Sequence, residues 1–317
     1  MLAVKLILGL IIVLWGAELL INSAIALGKK YKISELLIGI LVIGFGTSLS
    51  ELIVSIDAVL KNAAELTLGN IIGSNIANIL LVIGIAGLAK KIKIPNISNL
   101  DSFFHLSVTT LLLLVFFFYT LNFITGIIFI LIFIIYIFII IKNMDDMKND
   151  ETQNSNDLIS RKVYESPIII GIPIIIFSIL LTIYGADLTV NSAIKISLIF
   201  GISESVIGLT LVAIGTSLPE IAAGVTAARK MRANLIFGNI IGSNLYNILL
   251  ILGFSSLFKN FSYDKNNLFS EIIFLIFCTV LFIALTKFKK IVDVKVSIIL
   301  LLLYLVYIFY IYNKNFL

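Results

Sequence analysis

GNIIGSNIANIL, Gly69–Leu80, returns as GNIIGSNLYNIL, Gly238–Leu249, with ten of twelve residues identical. The offset is 169 residues, and the same shift superposes about 70 positions without a gap. WGAELLINSA at Trp15–Ala24 faces YGADLTVNSA at Tyr184–Ala193, and GTSLSE at Gly46–Glu51 faces GTSLPE at Gly215–Glu220. Ser34-Glu35 faces Ser203-Glu204, and Gly39 faces Gly208. A fixed period of this length marks a structural repeat. It also makes the apolar N-terminus a structural helix rather than a cleaved leader, because Trp15, Gly16, Ala17 and Glu18 have counterparts in mid-chain.

The repeat lies in a chain that is 60% hydrophobic and 13% charged, too apolar to cover a soluble globule. A membrane-spanning helix needs roughly 20 mostly apolar residues. Ten stretches qualify, near 3–27, 35–60, 66–88, 102–121, 123–141, 168–194, 203–228, 234–258, 268–286 and 296–313. The expected fold is an all-α membrane protein of ten transmembrane helices arranged as two five-helix repeats, 1–142 and 167–317. The polar stretch 143–166 between them reads as a cytoplasmic linker. Its acids lack the glycine and glutamate that an EF-hand loop requires. Five is odd, so the second repeat enters the membrane inverted, the architecture of many secondary transporters. With both termini outside, the inner loops collect 17 of the 23 Lys and Arg and the outer side keeps six. This distribution is the positive-inside pattern, so the net charge of +5 reflects topology in the cell membrane rather than nucleic-acid binding.

Glu51 and Glu220 fall deep inside apolar spans at symmetric positions. A charge at a helix centre costs about 2.5–3.5 kcal/mol on insertion scales and usually marks an ion or proton path. Thr47 and Ser48 precede Glu51 at helical spacing, as Thr216 and Ser217 precede Glu220, and the following spans supply Ser74 and Asn78, echoed by Ser243 and Asn247. Pro219 deprives the Gly215 carbonyl of its helical donor, and the local break makes the carbonyls of Ala213 and Gly44 candidate ligands. An all-oxygen set with two negative charges favours hard cations such as Ca2+ or Na+ over Zn2+ or Cu2+.

Other recurring or solitary residues receive structural readings. The glycine pairs Gly69/Gly73 and Gly238/Gly242 suit close helix packing. Asn22, Asn191, Glu18 and Asp187 read as interfacial polar groups near span ends. The lone Cys278 excludes an intramolecular disulfide and a cysteine metal cluster. His105, the single histidine, reads as interfacial at the start of the fourth span and is assigned no role.

The paired signatures resemble the alpha-repeats of the cation/Ca2+ exchanger superfamily, most closely its prokaryotic Na+/Ca2+ exchanger branch. The motifs occupy 44–51, 69–80, 213–220 and 238–249, and the resemblance covers nearly the whole chain. It implies an antiporter with Glu51 and Glu220 as central Ca2+ ligands, joined by Thr47, Ser48, Thr216, Ser217, Ser74, Ser243 and the carbonyls of Gly44 and Ala213. Ca2+ and Na+ are then transported ions rather than cofactors, the only other partner is the bilayer, and no protein partner is indicated. Two residues depart from the family pattern. Ser50 stands where proline is usual, which leaves the first helix break to Gly44 and Gly46. Asn247 replaces an aspartate of the K+-dependent relatives, which implies K+ independence. An H+/Ca2+ exchanger using the same carboxylates is the alternative. A cation channel or an intramembrane hydrolase is remote, the latter because the motifs offer neither the histidine nor the paired aspartates of such a centre.

Overall fold

The computed structural model describes residues 2–142, 168–200, 213–261 and 265–316. The linker 143–166 and the repeat partners Ser203, Glu204 and Gly208 lie outside the described residues. In order, the helices are α1 (Leu2–Tyr31), α2 (Glu35–Thr47), α3 (Leu49–Leu60), α4 (Ala64–Ala89), α5 (Asn99–Phe118) and α6 (Phe123–Lys142). They continue as α7 (Ile168–Ile199), α8 (Ala213–Thr216), α9 (Leu218–Arg229), α10 (Ala233–Phe258), α11 (Lys265–Phe288) and α12 (Val294–Phe316). Among the described residues eight are long and apolar enough to cross a membrane, and the bent pair α2–α3 makes a ninth. In hydrocarbon a helix satisfies its backbone polar groups internally, which is why these apolar runs resolve as helices.

Burial divides the helices into layers. The apolar windows of α4 and α10 are 83% and 94% buried, whereas those of α6 and α12 are 22% buried and present rows of Ile, Leu and Phe outward. The motif helices therefore form the centre and the featureless apolar helices the lipid-facing rim. α1 and α7 pack on each other through glycine. A Cβ on Gly16 would lie 2.8 Å from the Thr182 nitrogen, and one on its counterpart Gly185 would lie 2.4 Å from the Val13 nitrogen. Contacts this short need residues without side chains.

The repeat is visible in local geometry. α3 and α9 are each followed, two residues on, by a residue with positive φ, Asn62 (64°) and Met231 (57°), 169 positions apart. Ala63 N–H then donates to the Ala58 carbonyl at 2.8 Å and Arg232 N–H to the Ala227 carbonyl at 2.9 Å. Asparagine tolerates the left-handed region; methionine rarely occupies it. The turn is thus imposed by the architecture rather than by local preference.

Loops that the charge count assigns to one side meet one another. A short antiparallel pair, β1 (Ile92–Lys93) with β2 (Ile291–Val292), joins two loops assigned to the inner side. Arg232 Nη1, just before α10, meets Glu35 Oε1, at the start of α2, at 2.7 Å, and both positions read as inner. At the other end Phe261 N–H donates to the Leu121 carbonyl at 2.8 Å, and Lys259 reaches Asn62. Each contact joins loops placed on the same side.

Glu18 differs from its expected place. It lies mid-way along α1 rather than near a span end, and it is exposed and paired with Lys230 Nζ at 3.3 Å. Asp187 accepts from Asn191 Nδ2 at 2.8 Å on the exposed face of α7. Both acids are held at the surface by a neighbouring donor.

Candidate ion site

Both motif helices break at the same residue. Ser48 (φ −72°, ψ 1°) separates α2 from α3, bent by 41°, and Ser217 (φ −86°, ψ 5°) separates α8 from α9. In the second repeat Pro219 accounts for the break. In the first, Ser50 stands at that position, and its hydroxyl donates to the Thr47 carbonyl at 2.9 Å. A serine bonding back to its own helix bends it, which reproduces with a hydroxyl what proline does with a ring. The break is thus not left to Gly44 and Gly46. Breaking each helix turns the carbonyl end of one segment and the amide end of the next toward the same point. Glu51 and Glu220 both sit in the first turn after the break, where the helix dipole favours an anion.

Glu51 and Glu220 are 0% and 1% exposed, and among the described residues neither forms an ion pair. Burying an uncompensated carboxylate costs several kcal/mol. The cation that balances them must come from outside the chain, or the groups must take up protons.

The neighbours interlock across the repeats. Thr47 Oγ1 is 3.5 Å from Ser243 Oγ, and its counterpart Thr216 Oγ1 is 3.5 Å from Ser74 Oγ. Ser243 Oγ also donates to the Gly44 carbonyl at 3.3 Å. α10 reaches this position because Gly238 and Gly242 lie against the backbone of α2, where a Cβ would come within 2.3 Å of the Leu36 oxygen and 2.7 Å of the Ile40 oxygen. The packing role read for these two glycines is what allows it, whereas a Cβ on Gly69 or Gly73 would meet nothing within 4 Å, so the same reading does not hold for the first pair.

Four asparagines form a second symmetric layer. Asn78 Nδ2 donates to Asn244 Oδ1 at 3.1 Å, and Asn247 Nδ2 donates to Asn75 Oδ1 at 2.9 Å. Asn75 Nδ2 in turn donates to the Asn244 carbonyl at 3.3 Å, and Asn244 Nδ2 to the Asn75 carbonyl at 3.5 Å. Main-chain carbonyls can only accept, so these bonds fix which way each amide faces. Asn78 and Asn247 are held by their nitrogens and keep their oxygens free. Asn78 begins the π-helical turn Asn78–Val82 and Asn247 lies within the turn Tyr246–Ile251, a feature frequent at functional sites.

The buried oxygens left without a hydrogen-bond partner include three symmetric pairs: Ser48 and Ser217 Oγ, Asn78 and Asn247 Oδ1, and carboxylate oxygens of Glu51 and Glu220. For Glu220 both oxygens are bare; for Glu51 one is bare and Oε2 accepts from Ser50 Oγ at 2.9 Å. An unpartnered buried polar atom is rare in a folded protein, and these belong to residues read from the sequence as ligands. Ser50 Oγ also lies 3.1 Å from the Thr216 carbonyl, so its one proton is shared among the Thr47 carbonyl, Glu51 Oε2 and an acceptor of the opposite repeat. Ala213 begins α8. No group of three or more His, Cys, Asp or Glu exists among the described residues.

Sequence reasoning missed Asn75 and Asn244, and also Asn70 and Asn239. Asn70 Nδ2 donates to the Glu51 carbonyl at 3.3 Å, and Asn239 Oδ1 accepts from Thr47 at 3.3 Å. All four recur in GNIIGSN, so their repetition was the available signal. His105 is not interfacial. It is 1% exposed, and its Nε2 lies 3.2 Å from Asn244 Nδ2. Its position 169 residues on is Phe274, so the repeat gave no hint of it.

Residues 1–142 and 170–313 match the family model described as sodium/calcium exchanger protein. The chain is similar to inner membrane protein YrbG of Escherichia coli (strain K12), 32% identical over 257 residues that cover 80% of this chain and 78% of the relative. It is also similar to sodium/calcium exchanger MaX1 of Methanosarcina acetivorans, 31% identical over 297 residues, 83% of this chain and 85% of the relative. Among solved structures, the sodium-calcium exchanger NCX_Mj soaked with 2.5 mM Na+ and 1 mM Sr2+ superposes over 97% of each chain with a TM-score of 0.80 at 28% identity. On fold, motif geometry and sequence together, this chain belongs to the sodium/calcium exchanger family.

Proposed function

We propose that this chain is a secondary antiporter that exchanges Ca2+ for Na+ across the cell membrane, without a requirement for K+ and without enzymatic activity or a resident cofactor. The observation that carries the proposal is the set of paired, buried, unpartnered oxygens around Glu51 and Glu220. Ca2+ takes six to eight oxygen ligands in a flexible cage. The two carboxylates, with Ser48, Ser217, Asn78 and Asn247, supply at least that many, and Thr47, Thr216, Ser74, Ser243 and the carbonyls of Gly44 and Ala213 complete the set. Several Na+ occupy the same oxygens in turn.

The architecture proposed for this activity is ten spans in two inverted repeats, 1–142 and 167–317, joined by a cytoplasmic linker at 143–166, with both termini outside. Alternating access follows from an energetic rule. A doubly negative empty site in low dielectric is strongly penalised, so the gate crosses only when cations compensate the charge. α1 and α7 pack on each other and hold their acids, Glu18 and Asp187, at the exposed surface, which suits the pair to slide against the central helices.

The reading is tested with purified protein in liposomes, by measuring 45Ca2+ uptake while the Na+, K+ and pH gradients are varied one at a time. Uptake driven by Na+ and indifferent to K+ is expected. Uptake driven by a pH gradient without Na+ would replace Na+ with H+, and conductance without counter-transport would make the protein a channel.

A further inference from the structure

His105 lies on α5 with its ring edge-on to Phe282, centroids 5.6 Å apart, and among the described residues its ring's hydrogen-bond partner is Asn244 Nδ2 at 3.2 Å. Nδ1 is buried without a partner. Asn244 Oδ1 already accepts from Asn78, so the group facing His105 is an amide N–H and Nε2 must be the acceptor. The network therefore assigns the neutral tautomer with its proton on Nδ1.

This bond is one end of a relay: His105 Nε2 accepts from Asn244 Nδ2, Asn244 Oδ1 accepts from Asn78 Nδ2, and Asn78 Oδ1 is left bare. Reversing Asn244 would reverse Asn78 and turn an N–H toward the ion site in place of an oxygen. The mirror relay, from Asn75 to Asn247, is anchored by the Asn244 carbonyl at 3.3 Å. The matching anchor for Asn244 is the Asn75 carbonyl at a longer 3.5 Å. His105, at 3.2 Å, supplies the shorter acceptor on that side. Resting on the ion-site reading above, we infer that His105 is a positioning residue: as a hydrogen-bond acceptor it fixes Asn244 so that Asn78 presents its oxygen, not its amide nitrogen, to the bound cation.

The test separates acceptor from shape. His105→Phe and His105→Leu keep an apolar side chain in the pocket and remove the acceptor, whereas His105→Gln keeps an oxygen near the Nε2 position. The readouts are the 45Ca2+ dissociation constant of the purified protein, which is independent of the driving counter-ion, and the half-saturating Ca2+ concentration and maximal rate of uptake in liposomes. Losing one buried hydrogen bond predicts roughly three- to tenfold weaker Ca2+ binding for the apolar variants. Their maximal rate should stay near wild type, and His105→Gln should bind like wild type. Should one apolar variant fail to fold, the other carries the comparison. Equal affinity in wild type, His105→Gln and an apolar variant would overturn the inference and leave the ion-site reading standing. So would an equal loss in His105→Gln and the apolar variants. Absence of Ca2+ binding by the wild type would overturn both.

Discussion

Substituting Gly238 with alanine should weaken ion binding without touching an ion ligand. A Cβ at this position would lie 2.3 Å from the Leu36 oxygen, 3.0 Å from Gly39 Cα and 3.1 Å from the Ile40 nitrogen, whereas ordinary contact begins near 3.4 Å. All three atoms are main chain, so no rotamer change relieves the clash, and α2 must retreat from α10 by about an ångström. α2 carries Thr47 and the Gly44 carbonyl, which meet Ser243 at 3.5 and 3.3 Å. An added ångström breaks both contacts. Overpacking of this kind costs about 1–3 kcal/mol, and a tenfold change in affinity corresponds to about 1.4 kcal/mol. The expected result is a Ca2+ dissociation constant raised about tenfold, with a lower melting temperature. Gly84→Ala is the control, because its new Cβ meets chiefly side-chain carbons of Leu301, at 2.7 and 2.8 Å, which can rotate away. Both variants are compared by 45Ca2+ binding and thermal melting of purified protein. If Gly238→Ala bound Ca2+ as tightly as Gly84→Ala, the close approach of α2 and α10 would not be what assembles the site.

Three further outcomes follow from individual contacts. Ser50→Pro should transport better than Ser50→Ala in a flux assay, since proline preserves the bend that the Ser50–Thr47 bond now makes and alanine supplies neither; the reverse order would refute the bending role. Arg232→Ala should lower stability by about 3 kcal/mol in a denaturation series, because it breaks a 2.7 Å pair with Glu35 whose side chains are only 8% and 15% exposed. Asp293 caps the start of α12, and the amide of Val296, 3.0 Å away, holds its carboxyl below the usual range. Its contribution is therefore present at neutral pH and lost as pH falls through that lowered value. Asp293→Asn should remove this part of the acid dependence in melts at stepped pH.

The sequence carried most of the architecture because its strongest signals do not depend on tertiary context. Apolar stretches of the required length locate helices regardless of neighbours, and a gapless offset of 169 pairs Glu51 with Glu220 before any packing is known. Ser74 and Asn78 were legible from their spacing of four. Asn75 and Asn244 were not, because they face the opposite repeat, and only the assembled helices show that they hold Asn78 and Asn247 by the amide nitrogen. Ser50 read as a missing proline. Its hydroxyl, which replaces the proline's effect and reaches Glu51 and Thr216, depends on three-dimensional neighbours that spacing does not reveal. His105 was the hardest to read, since it comes from outside the motifs and meets Asn244 across 139 positions of sequence.

The central claim is that two symmetric carboxylates hold one Ca2+ together. Equilibrium binding of 45Ca2+ to purified wild type, Glu51→Gln and Glu220→Gln tests it most directly. The account predicts saturable binding in the wild type and its loss in both variants alike, because the amide keeps the shape and removes the charge that Ca2+ needs. Undiminished binding by either variant would contradict a shared site.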